Sequence, residues 1–446
     1  MVEVKQVKLN LQELFLRNDL TFLVGAGCSI DPPSGLPSGG KMMDAIIDYT
    51  CDESEIDNIR KLKGLRFEAL VEIVRYTLDK QLHLIDYFGE CKIPNLQHFF
   101  LAEMIKRGNL VLTTNFDFLI EHALIRSGVQ KENIIPVITE DDFRKYKDPE
   151  DLFNKGKKAI YKIHGSTKNI ITGKSTRSSL IATIQAFGSN KEGENVFQLE
   201  HFKRPLFINS TNERSLVIMG YSGSDDFDIV PTLKILEGIK NIYWINYVYH
   251  DKGREKIFEI LKDTDPNFDE YKKVNQILVE IKRMNTIEHI YRIDVNTSRL
   301  VKDLIKAEYE VSEREFKIKP LEWIESNITS PSKIIKLQIP YKIYQSLNIF
   351  EPALRCCEET LKIAEEMNNQ SWKRVALNNI GTINGIRGKY SEALKQYLKV
   401  LEITEHLGDL NEKFTIIDNI GAVYRKMGNY RLALKYHQKA LNIMTN

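Results

Sequence analysis

Cysteine is scarce. Five residues in 446, Cys28, Cys51, Cys91, Cys356 and Cys357, make an odd count with no C-x-x-C spacing. Neither a disulfide framework nor a cysteine zinc site is expected. No charge of one sign prevails: 63 Lys and Arg stand against 61 Asp and Glu, a formal net charge of +2. That balance gives no electrostatic footprint for nucleic acid or an anionic membrane. The basic stretch Lys155, Lys157, Lys158 and Lys162 reads as a solvated face. No run of 18 apolar residues occurs, so no transmembrane helix is expected. Residues 1–9 lack the basic and apolar regions of a signal peptide. A cytoplasmic, globular protein of two or three domains, at roughly 150 residues each, fits these absences.

What is present is a series of short apolar runs of strand type. Leu20–Val24 ends in Gly25–Ala26–Gly27–Cys28–Ser29, and Leu110–Thr113 runs into Thr114–Asn115–Phe116–Asp117. Ile134–Ile138 and Ala159–Ile163 follow, the latter ending in His164–Gly165–Ser166. Leu216–Met219 leads into Gly220–Tyr221–Ser222–Gly223–Ser224–Asp225, and Ile242–Asn246 and Ile290–Val295 close the set. Helical patterns lie between them, at Leu9–Asn18, across residues 41–90, at Asn95–Lys106 and at Arg299–Lys306. Strands alternating with helices predict a Rossmann-like parallel α/β sheet with a helical insertion. Four strands end in loops rich in Gly, Ser, Asn, Asp or His, and open α/β sheets bind ligands at the carboxyl ends of their strands.

A strand running into Gly25–Ala26–Gly27 lets backbone approach a phosphate, with the following helix N-terminus favouring the anion. The same glycines also suit a plain strand-to-helix turn. The dehydrogenase fingerprint is absent, because Ile30 stands at its third glycine position. Gly173–Lys174–Ser175 is not a P-loop, because Lys168 stands where its first glycine belongs.

A second pattern fills the C-terminal part. Ala353–Leu354, Ala393–Leu394 and Ala433–Leu434 recur at 40 residues, as do Asn379–Ile380–Gly381 and Asn419–Ile420–Gly421. Small residues at fixed places let paired helices approach, with turns at Gly388–Lys389 and Gly428–Asn429. This all-α region resembles tetratricopeptide repeats of long period. The domains expected are 1–307 catalytic, 308–335 a helical connector with Ser312–Glu313–Arg314–Glu315 as a capping box, and 336–446 repeats. The final helix presents Leu434, Leu441 and Ile443 as an apolar edge, which suggests a contact with another subunit or a protein or peptide trigger.

Taken in order, the strand-end loops resemble the sirtuin-like family. Gly25–Ser29 is similar to its first motif, and Gly35–Leu36–Pro37–Ser38 falls at its mobile cofactor loop. Pro94–Asn95–x–x–His98–x–x–Leu101–Ala102 is similar to the helix before the second motif, and Thr113–Asp117 to that motif itself. His164–Gly165–Ser166 is similar to the catalytic-histidine motif, and Gly220–Asp225 to the glycine–serine turn under the cofactor. Asn246 falls at a later ribose contact. The resemblance implies NAD as a substrate, held by Gly25, Ala26, Gly27, Ser29, Thr114, Asp117, Gly220, Ser222 and Asn246, with Asn115 and His164 catalytic.

The departures from that family narrow the expected activity. No cysteine lies between His164 and Gly220, so the zinc ribbon of sirtuin deacetylases is not expected. Thr114 and Phe116 replace the usual glutamine and isoleucine. Both features are similar to NAD-hydrolysing effectors of bacterial anti-phage defence. The expected activity is NAD+ glycohydrolysis: an oxocarbenium-like centre forms as nicotinamide leaves. Asn115 holds the ribose and orients water, and neutral His164 accepts a proton. Asp117 either polarises the site or caps a helix. His98, Cys28 and Tyr221 read as packing. The alternatives are a protein deacylase or ADP-ribosyl transferase, which needs a zinc ribbon and peptide groove, and a non-catalytic nucleotide-binding interaction protein.

Overall fold

The computed structural model describes residues 4–180, 199–223, 228–305 and 309–444. Ser224 and Asp225 of the glycine–serine turn lie outside the described residues. The chain divides into two compact units. One comprises residues 1–45, 66–72 and 81–328; the other comprises 46–65, 73–80 and 329–446.

The first unit is built on a nine-stranded sheet. Its strands are β1 (Lys5–Val7), β2 (Leu20–Val24), β3 (Leu110–Thr113), β4 (Ile134–Val137), β5 (Lys158–Lys162), β6 (Ser215–Met219), β7 (Asn241–Tyr247), β8 (Lys256–Glu259) and β9 (His289–Val295). Their spatial order is β1-β8-β9-β7-β6-β2-β3-β5-β4. The seven strands from β9 to β4 are parallel; at one edge β8 pairs antiparallel with β9, and β1 antiparallel with β8. The seven apolar runs of the sequence are these parallel strands. They read as continuous apolar runs because helices cover both faces. Phe22, Val24, Val111, Ile160 and Val217 pack into one face's core. Leu23, Leu112, Tyr161, Leu216 and Ile218 pack into the other, as the two-residue period demands.

β2 is central, with β3 on one side and β6 on the other. The chain leaves β2 toward β3 and later returns to its far side as β6. This is the point where strand order reverses, which places a binding crevice beyond the carboxyl ends of β2, β3 and β6.

Three local expectations change. The first amphipathic helix contracts to Leu11–Leu14, capped by Asn10. Ser312 begins no helix; its hydroxyl accepts from the Arg314 N–H, and the connector helix starts at Pro320. Lys162 is not on a solvated face: it is buried, donating to the Asp117 carbonyl and pairing with Glu121 at 3.4 Å.

The second unit carries six helices from Lys333 to Met444, in pairs that repeat every 40 residues. A Cβ on Gly381 would sit 2.8 Å from the Tyr397 ring, and one on Gly421 2.9 Å from the His437 ring. The small residues of the repeat are therefore where an aromatic ring of the next helix lies. Gly388 and Gly428, both at φ +77, make the turns. The helix Glu53–Arg60 belongs to this unit. Tyr344 donates to the buried Glu55 carboxylate at 2.6 Å, and the Asp52 N–H to the Lys336 carbonyl at 2.9 Å. Among the described residues no helix is long and apolar enough to cross a membrane.

Candidate functional site

Beyond β2 the glycine loop is locked to the turn after β6 by backbone. The Gly25 N–H donates to the Met219 carbonyl at 3.0 Å, and the Gly27 N–H to the Gly220 carbonyl at 2.8 Å. A Cβ on Gly25 would lie 2.6 Å from the Gly220 oxygen, and one on Gly220, whose φ is +65, 2.5 Å from the Cys28 nitrogen. These glycines are required where two loops meet backbone to backbone. The loop continues as a four-residue 3₁₀ turn, Ala26–Ser29, rather than a long helix, so no full helix dipole points at a ligand here. The Ala26 N–H has no backbone acceptor among the described residues.

A cavity of about 540 Å³ opens at this junction. Ala26, Gly27, Ser29, Thr114, Asn115 and Asp117 line it, with His164, Gly220 and Ser222. Nine of the eleven residues expected in the site thus share one cavity. Gly25 contributes through its carbonyl, which accepts from Asn115 Nδ2 at 3.2 Å. Asn246 does not line the cavity. It is the second-last residue of β7, beside β9, and its amide donates to Asp294 Oδ1 at 2.8 Å.

Behind the cavity wall a buried relay fixes Asn115. The Asn95 N–H donates to His98 Nδ1 at 3.1 Å, so Nε2 carries the neutral ring's proton and faces Ser29 Oγ at 3.1 Å. Burial pushes the His98 pKa down to about 4, which keeps the ring neutral. Ser29 donates to Asp117 Oδ2 at 2.8 Å, leaving its lone pairs to accept from Asn115 Nδ2 at 3.3 Å. Because Gly25 O can only accept, the atom facing it is the Asn115 amide nitrogen. Asn115 Oδ1 is therefore turned away from both partners. It is buried and has no hydrogen-bond partner among the described residues.

Asp117 uses both of its carboxylate oxygens. Oδ1 caps the helix Leu119–Arg126 by accepting from the Leu119 N–H at 3.0 Å, while Oδ2 holds Ser29. Cys28 is buried, and burial drives its thiol pKa up, which makes it an inert filler.

Opposite Asn115, His164 Nε2 lies 3.0 Å from Asp228 Oδ2. Burial disfavours the charged ring, but the Asp228 carboxylate, helped by Glu68, outweighs it and raises the His164 pKa above the ordinary value. Glu68 and Asp228 both line the cavity, and so do Phe67, Phe88 and Phe116. Phe116 stacks loosely toward His164, Phe67 and Phe88, with centroids 5.9–6.4 Å apart. The sequence reading passed over both carboxylates. Glu68 sits inside an apolar helical stripe. Asp228 ends an acidic run, Asp225–Asp226–Phe227–Asp228, which was its only signal.

Residues 109–251 match the SIR2-like domain family. The chain carries a SIR2-like domain. Its matched span holds Asn115, His164 and Gly220, and the glycine loop that completes the cavity lies before it. Residues 375–409 and 415–445 match the tetratricopeptide repeat family. No curated protein matches the chain at a significant level. A SIR2-like domain suggests NAD-related activity, and tetratricopeptide repeats suggest protein interaction.

Proposed function

We propose that the protein is an NAD+ glycohydrolase that cleaves NAD+ to nicotinamide and ADP-ribose at this cavity. The observation that carries the reading is the buried Asn115 Oδ1, fixed by its relay and lacking a partner among the described residues, on the wall of a cavity that also holds His164. Such an acceptor suits a ribose hydroxyl, which would satisfy a group that is costly to leave unmade. The pyrophosphate would lie beside Gly27 and the Ala26 N–H. His164 then takes the proton from a ribose hydroxyl or from the attacking water, a contribution of order 10²–10⁴-fold. Phe67, Phe88 and Phe116 give that part of the cavity an apolar wall.

A deacylase requires an acylated peptide for turnover, whereas a glycohydrolase does not. NAD consumption at the same rate with and without an acetyl-lysine peptide is the result expected. Consumption that begins only with peptide would assign the deacylase reading instead.

We propose further that the enzyme serves in anti-phage defence, restrained or assembled through its repeats by a second copy of the chain or a protein trigger. An unrestrained NAD hydrolase would deplete its own cell. Leu434 is 70% exposed and Tyr430 71% on the last repeat helix. Deleting the repeats is a poor test, because it strips Tyr344 from Glu55 and Lys336 from Asp52. Leu434→Glu is the better one. Light scattering of the full chain should give a multiple of the chain mass and Leu434→Glu a smaller one, with turnover altered in parallel. Identical masses and turnover would exclude this face as the assembly surface.

A further inference from the structure

The Asp228–His164 pair is the strongest feature of the cavity that the family resemblance does not supply. Asp228 stands at the N-cap of the helix Ile229–Ile235, and its Oδ1 accepts from the Ile229 N–H at 2.9 Å. One oxygen is thereby held by the helix, and the other lies 3.0 Å from His164 Nε2. Both side chains are buried, at 3% and 10% exposure. A carboxylate can only accept, so the imidazole nitrogen facing it must carry a proton.

We propose that Asp228 is a positioning residue for the reaction: it clamps Nε2–H of His164 and thereby makes Nδ1 the ring's basic atom. This rests on the reading of His164 as the proton acceptor in NAD cleavage. Among the described residues, charged groups acting on the ring include Asp228, Glu68 from the helix Phe67–Thr77, and Lys203 with Glu200 before the helix Arg204–Thr211. Lys203 opposes a charged ring, but it is paired with Glu200 at 2.9 Å and donates to the Ile163 carbonyl at 2.6 Å. Asp228 and Glu68 therefore dominate, and His164 titrates above an ordinary histidine. Its basic form is lost as pH falls through that raised value, and cleavage should fall with it.

Asp228→Asn is the informative change, because asparagine is an equally good N-cap. Its single oxygen goes to the Ile229 N–H, which turns the NH₂ group toward Nε2. The ring must then accept at Nε2 and carry its proton on Nδ1, so the base is blocked.

Nitrogen NMR of ¹⁵N-histidine-labelled full chain reads this directly, with His164→Gln used to assign the signals. In the wild-type ring the neutral form should be Nε2–H. In Asp228→Asn it should be Nδ1–H, with the titration midpoint lowered by about one unit or more. NAD cleavage on the high-pH plateau should fall of order 10²-fold, within the range for losing a general base. Asp228→Glu should restore the Nε2–H tautomer and part of the rate. A wild-type ring protonated on Nδ1, or a folded Asp228→Asn with unchanged tautomer and midpoint, overturns the proposal. The tautomer is measured without NAD, so failure of the wild type to cleave NAD would overturn the glycohydrolase reading alone.

Discussion

Asn115→Ala should lower NAD cleavage by about 10²–10³-fold, the loss expected when a preorganised polar group is removed from a reacting centre. The fold should survive, because the substitution removes only the bonds to Gly25 O and Ser29 Oγ. Ser29 keeps Asp117 and His98. Circular dichroism and urea unfolding check the fold, and product formation checks the activity. Asn115→Asp should fail as well, although it matches asparagine in size. A carboxylate cannot donate to the Gly25 carbonyl, and it would face that oxygen with a negative charge. A fully active, folded Asn115→Ala would remove Asn115 from the chemistry and leave it a loop tether.

The second large effect concerns stability. Gly220→Ala places a methyl group 2.5 Å from the Cys28 nitrogen at a backbone φ of +65. Both the left-handed conformation and the clash oppose it: besides Cys28 Sγ at 2.6 Å, the Cβ would meet Cys28 N and Gly25 O, which are backbone and cannot swing away. A destabilisation of about 3 kcal/mol or more is expected from the two together. Gly128→Ala is the control. Its φ is +86, but its Cβ would meet nothing within 4 Å, so only the conformational cost of about 1 kcal/mol applies. Urea midpoints of the two variants separate these contributions. Equal losses would show that the contact between the two loops is looser than the distances imply.

Much of this was legible before the fold was seen, and the reasons are physical. The seven parallel strands are buried on both faces, so they stand out as apolar runs with glycine and polar residues at their ends. The two antiparallel strands were missed. Lys5–Val7 and Lys256–Glu259 are three and four residues long, and charged residues at a sheet edge hide the pattern that marks a central strand. The repeats were plain because a strict period fixes where Gly381 and Gly421 meet aromatic rings.

The site was half legible. Asn115, His164 and the glycines lie at strand ends, where position implies role. His98 looked like packing because its helix is apolar, yet its ring passes a hydrogen bond to Ser29. Glu68 lies on a helix and Asp228 at the start of one, where nothing in the chain order indicates a cavity wall. Nor could a linear reading place Ile46–Leu65 with the repeats, since those contacts join residues nearly three hundred positions apart.

The most direct test of the account is the fate of NAD+ itself. Full-length protein is incubated with NAD+ alone, and the products are separated and quantified over time. Nicotinamide and free ADP-ribose should appear in equal amounts, without peptide or added metal, and Asn115→Ala should form both about 10²–10³-fold more slowly. Intact NAD+ after prolonged incubation across pH 6–9 with the assembled protein, or nicotinamide released with ADP-ribose left attached to protein, would contradict it.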